Sequence, residues 1–189
     1  MTLGGWIALG IVGFIVLALI VWVIGSYNGL VRLRNNVEES FSAMDVYMKK
    51  RYDLIPNIVE TVKGYAKHEK ETLNAVIAAR NSAIAAPDPK AKAKAENEIS
   101  GALRQLFALA ENYPDLKANT SFLDLQAQLQ SIETEIANSR RYYNANVKEY
   151  NTKIEVFPSN IVAGWFNFKK RDLFEIENKK ERENVKVEF

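Results

Sequence analysis

Apolar positions along the chain fall into two regimes. From Leu3 to Ile24 the sequence LGGWIALGIVGFIVLALIVWVI carries no charged side chain. As a helix it rises about 33 Å, enough to cross a hydrocarbon core of roughly 30 Å. Trp6 and Trp22 stand near opposite ends, with Tyr27 just beyond, as interfacial anchors do. A core helix and a cleaved signal peptide are the rivals. The length of the run disfavours the first. Against the second stand the uncharged Met1-Thr2-Leu3 and the poor cleavage site at Val23-Ile24-Gly25-Ser26. The expectation is an uncleaved anchor over 1–26.

Beyond the anchor the apolar residues recur at helical spacing. Leu30, Leu33, Val37, Phe41, Met44 and Met48 form one stripe. Only Gly25 and Gly29 interrupt the path from the anchor, so one rod of about 48 residues and about 72 Å is expected. Arg51-Tyr52-Asp53-Leu54-Ile55-Pro56-Asn57 then punctuates the pattern. Asp53 suits an N-cap and Pro56 a first turn, which predicts a new helix there. The alternative is one long helix kinked at Pro56. Ile55, Ile58, Val62, Tyr65, Leu73, Val76 and Ile77 make the next stripe, interrupted by Glu69.

Asp88 and Pro89 open a third helix, with Ile99, Leu103, Leu106, Ala110 and Tyr113 on its apolar side. Pro114, within Asn112–Asp115, stops it. A fourth stripe runs from Phe122 through Leu129, Ile136, Tyr143 and Tyr150 to Ile154, and Ser121-x-x-Asp124 predicts its capped start. The reading is all-α: a transmembrane helix, then an up-down-up-down four-helix bundle over 27–156 with short turns. A C-terminal appendage over 157–189 completes the chain. Val185–Phe189 alternates, but that run is too short to count as a strand. Phe157–Asn160 breaks the fourth helix. Trp165, Phe166 and Phe168, followed by Lys169, Lys170 and Arg171, either pack on the bundle end or meet lipid headgroups or a partner.

Charge and composition narrow the chemistry. The 25 Lys and Arg and 23 Asp and Glu all lie after Val31. A net charge of +2, evenly spread, does not suit a nucleic-acid binder. With no cysteine and one histidine, thiolate metal sites, disulfides and multi-histidine centres are excluded. His68-Glu69 looks like half of a zinc-protease helix, but Thr72 stands where the second histidine belongs. Neither a phosphate-cradling glycine loop nor a nucleophile elbow occurs. No catalytic residue, cofactor or metal ligand is assigned, and a non-enzyme is expected. Glu69, Arg80, Glu133 and Arg140 lie near the apolar stripes, as surface ion pairs or as a polar network fixing register. Tyr143-Asn144 and Tyr150-Asn151 are seven apart and share a helix face, either core rim or partner surface.

Taken in order, several segments resemble the LemA family over nearly the whole chain. They are Tyr27-Asn28-Gly29-Leu30-Val31, Arg51–Asn57, Val62-Lys63-Gly64-Tyr65, Ala79-Arg80, Tyr113-Pro114-Asp115-Leu116, Ser139–Asn144, Tyr150-Asn151 and Phe157-Pro158. The resemblance implies a bacterial membrane-anchored helical bundle and no established catalytic residue. Some members carry a lipoprotein cysteine just before the Tyr-Asn, where Ser26 stands here, and expose the bundle outside the inner membrane.

The expected function is a non-enzymatic scaffold in the bacterial inner membrane, with the bilayer and further copies of itself as partners. The alternative is an adaptor or sensor for a membrane protease or envelope signalling complex. Arg32 and Arg34 lie just after the span, and the positive-inside rule places the bundle in the cytoplasm, opposite to the lipoprotein relatives. On that rule the helical part resists protease added to intact spheroplasts. Its digestion from outside reverses the orientation.

Overall fold

The computed structural model describes residues 3–175, and the terminal Val185–Phe189 alternation lies outside them. The described residues are almost wholly helical, without strands. Among the described residues six helices occur in order: α1 (Leu3–Tyr65), α2 (Lys70–Ala85), α3 (Pro89–Ala110), α4 (Pro114–Lys117), α5 (Thr120–Glu155) and α6 (Ser159–Trp165). The chain divides into two compact units. One comprises Met1–Ser40 with Ala145–Arg171, the other Phe41–Asn144 with Asp172–Phe189.

Helix α1 is unbroken over 63 residues, longer than the rod expected from the sequence. No described side chain of its apolar start is buried, and its most apolar 18 residues have a mean hydropathy of 3.1. Farther along, Leu30, Val37, Met44, Met48, Ile55, Ile58 and Val62 are buried, at steps of seven, four or three residues. The helix runs through the segment read as a turn. Asp53 is an exposed residue within it, and Pro56 sits inside it. Neither begins a helix. The real break is at Ala66–Glu69, where exposed His68 lies in a turn.

A proline in a helix interior lacks the N–H owed to the carbonyl four residues back. Here that carbonyl belongs to Tyr52, and Arg80 Nε of α2 donates to it at 2.7 Å. The donor missing from the helix is thus supplied by its neighbour, which removes the main cost of continuing past Pro56.

The caps of the later helices are local. Asp88 Oδ1 accepts the Ala91 N–H at 2.8 Å, with Pro89 as the first residue of α3. Pro114 is likewise the first residue of the short α4, which has no side-chain cap. The start of α5 falls earlier than expected. Asn119, not Ser121, provides the cap, its Oδ1 accepting the Phe122 N–H at 2.9 Å. Asparagine is as good a cap as serine, and a cap one residue before Thr120 leaves Ser121 inside the first turn. Helices α2 and α3 pack side by side. Phe107 of α3 meets Phe122 of α5 edge-on, with ring centroids 6.4 Å apart.

If Arg80 replaces the donor lost at Pro56, Arg80→Met costs about 1–3 kcal/mol by leaving the Tyr52 carbonyl unsatisfied. The same change costs clearly less in a Pro56→Ala background, where the helix regains its own N–H. Urea unfolding of the four proteins in a double-mutant cycle measures this, and equal costs in both backgrounds refute the coupling.

Candidate functional site

The most unusual side chain of the Phe41–Asn144 unit is Arg51. It occupies the core phase of α1 between Met48 and Ile55 and is only 1% exposed. A guanidinium that deep needs carboxylates and acceptors around it. Glu96 of α3, itself buried, takes Arg51 Nη2. Glu133 of α5, half exposed, takes Nη1. Ser100 Oγ accepts from Nη1 at 3.2 Å and donates to Glu133 Oε1 at 3.1 Å. Burial pushes the Arg51 guanidinium below its usual range, and the Glu133 carboxylate opposes that.

Tyr52, the next residue, donates its hydroxyl to the other Glu96 oxygen. Burial raises this phenol to about 12, against the pull of Arg51. Both Glu96 oxygens are therefore engaged from α1. The cluster floors a groove of about 560 Å³ lined also by Lys94, Arg104, Arg140 and Phe174. Mixed charges on such a wall suit a polar segment of another protein better than an apolar small molecule.

The four polar residues singled out in the sequence do not form one network. Glu133 joins Arg51, and Arg140 lines the same groove. Arg80 goes to the Tyr52 carbonyl. Glu69 accepts the Tyr113 hydroxyl at 3.0 Å, which raises that phenol above its ordinary range. Sequence reasoning misses Arg51, Tyr52, Glu96 and Ser100 as network members. A signal is present: Arg51 continues the run Met44, Met48, Ile55, and Glu96 lies three residues after Ala93 and before Ile99. Charges in core register mark buried partners.

The two Tyr-Asn pairs of α5 hold the chain's own tail. In the unit containing Met1–Ser40, Tyr150 donates to the Lys169 carbonyl at 2.9 Å. Asn151 bonds both the Arg171 carbonyl, at 2.8 Å, and its N–H, at 2.9 Å. In the other unit, Tyr143 donates to the Asp172 carbonyl at 2.9 Å. Asn144 bonds both Phe174 carbonyl and N–H, at 3.1 and 2.8 Å. Of the tail cations, Lys170 pairs with Glu155, and Arg171 with Glu38 at 3.0 Å.

In the first of these units the aromatic tail meets α1. The Tyr27 ring lies 4.6 Å from Phe166 and 5.8 Å from Phe168, centroid to centroid. The Arg34 guanidinium stands 5.7 Å over the Phe168 ring, a cation–π contact. Arg32 and Lys169 are exposed. Trp6 and Trp165 are about two-thirds exposed, and Trp22 less so.

The buried arginine, its helices and the clamped tail all lie in a stretch shared with known proteins. The model of the LemA family matches residues 40–189. The chain belongs to the LemA family. The match opens at Ser40, after the apolar segment, and its range includes Arg51, Glu96 and Glu133. Among LemA relatives, Protein LemA of Metamycoplasma hominis is 29% identical over 157 residues, covering 81% of this chain and 68% of the relative. Magnetosome protein MamQ 2 of Paramagnetospirillum magneticum is 23% identical over 186 residues, covering 85% and 68%. Magnetosome protein MamQ of Magnetospirillum gryphiswaldense is 22% identical over 183 residues, covering 83% and 67%. These names are not those of enzymes. With an unburied apolar segment of spanning length, this LemA family chain is a membrane-associated protein.

Removing one member of a buried ion cluster strands the others. Arg51→Met is expected to cost about 3–5 kcal/mol, and Arg51→Met with Glu96→Leu to recover much of that loss. Urea melts in detergent decide it. A single variant as stable as the parent shows that Arg51 does not hold α3 and α5 to α1.

Proposed function

We propose that this LemA family protein is a non-enzymatic scaffold of the bacterial inner membrane that self-associates through its helical part. One observation carries the reading. Helix α1 passes without a break from the exposed apolar segment to Tyr65. Its later turns supply the core residues Met44 to Val62. One helix thus contributes both the apolar segment and core residues of the helical part. Copies confined to one bilayer also meet at raised effective concentration, so weak contacts suffice.

In this proposal the later part of α1 with α2, α3 and α5 makes an up-and-down four-helix bundle. The bilayer and further copies of the chain are its partners, and the positive-inside rule keeps the bundle cytoplasmic. A second reading comes from the charged groove over Arg51: an adaptor that holds a polar segment of another membrane protein, such as a protease or signalling component.

Purified in mild detergent with the anchor intact, and again in nanodiscs, the protein is expected to run as multiples of its 21.4 kDa chain by mass photometry. A monodisperse monomer in both media overturns self-association. A stoichiometric co-purified membrane protein lost on Glu133→Lys, with no self-multiples, favours the adaptor.

A further inference from the structure

Helix α6 has two apolar sides. Ser159, Val162 and Ala163 are buried beneath it. On its outer side lie Ile161 and Trp165, one turn apart, with Phe157 just before the helix and Phe166 at its end. Phe157 is 79% exposed, Trp165 69% and Phe166 51%. One exposed aromatic is ordinary on a protein surface, but a cluster of four large apolar groups within ten residues marks a contact surface.

The place of this cluster identifies what covers it. Phe166 lies tilted against Tyr27, three residues and about 4.5 Å of helix rise beyond Ile24, where the apolar run of α1 ends. That is the depth at which tryptophan and tyrosine collect in bilayers. The end of α6 holds its neighbours there. Asn167 takes a left-handed conformation, with φ of 55°. The Phe168 N–H returns to the Ala163 carbonyl at 2.9 Å and the Asn167 N–H to that of Gly164 at 3.2 Å. This is a Schellman turn, and it brings Phe168 back to Tyr27 and Arg34. Exposed Arg32 and Lys169 supply positive charge beside the same aromatic group, complementary to anionic headgroups.

We propose that α6 and its flanking aromatics form a second membrane contact: they lie in the headgroup–acyl boundary beside the exit of α1, with Phe157, Ile161 and Trp165 directed into lipid. The inference rests on α1 spanning the bilayer. Each chain is then held at two points, a span and an interfacial foot, and the foot fixes the rotation of α1 about its own axis.

Single-tryptophan proteins test this in nanodiscs of zwitterionic and anionic phospholipid. Trp6→Phe with Trp22→Phe leaves Trp165 as reporter, and Trp6→Phe with Trp165→Phe leaves Trp22. Lipids brominated high on the acyl chain are expected to remove most of the emission from both reporters, while aqueous iodide leaves Trp165 bright. Quenching of Trp22 by bromolipid with Trp165 quenched only by iodide overturns the foot and leaves the span standing. Trp165 shielded from both quenchers overturns it in favour of a second protein chain on that surface. Failure of bromolipid to quench either reporter overturns the span and the foot together.

Discussion

A guanidinium enters a helical core only where carboxylates meet it, and Arg51 makes that requirement the organising constraint of its unit. Glu96 comes from α3 and Glu133 from α5, so one charge on α1 fixes the azimuth of two other helices at once. Apolar contacts cannot do this, because a stripe of methyl and methylene groups tolerates small rotations and slides. Tyr52 sharpens the constraint by engaging the second oxygen of Glu96. Arg80 then draws α2 to the same turn of α1 through the Tyr52 carbonyl. Three helices are thus tied to consecutive residues of one short segment.

Pro56 belongs to that segment for a related reason. In most helices a proline is a defect that bends or ends the helix. Here it frees a carbonyl that an arginine from the next helix takes up. The helix survives because the lost bond is replaced from outside, and the replacement joins α2 to α1. Local sequence logic alone reads Arg51–Asn57 as a turn, since Asp53 and Pro56 both have turn and cap chemistry. The outcome depends on a donor 28 residues downstream of Tyr52, which no local pattern carries.

Much else is legible. The apolar stripes locate the helices because burial tracks the 3.6-residue repeat, and Asp88-Pro89 announces the start of α3 because capping is a matter of a few adjacent atoms. The true break at Ala66–Glu69 is hard to see, since Gly64 is only a weak stop and the polar residues after it also suit a solvated helix face. The start of α5 slips because Asn119 and Ser121 are equally good caps. The buried cluster escapes for another reason. A charged residue on a helix reads as outward-facing by default, although Arg51 and Glu96 stand in phase with their buried neighbours.

The Tyr-Asn pairs of α5 show a different economy. The two asparagines, seven residues apart in the sequence, take Arg171 and Phe174, each within its own unit. Each asparagine presents an amide to an amide, and each tyrosine takes a carbonyl. All of these bonds address main-chain atoms. Through these bonds the helix holds the path of the strap without reading its side chains. The side chains of Lys169 to Asp172 stay exposed and take no part in these main-chain bonds, whereas Phe174 buries its ring in its own unit. A clamp of this kind separates the evolution of a surface from the evolution of the fold that displays it.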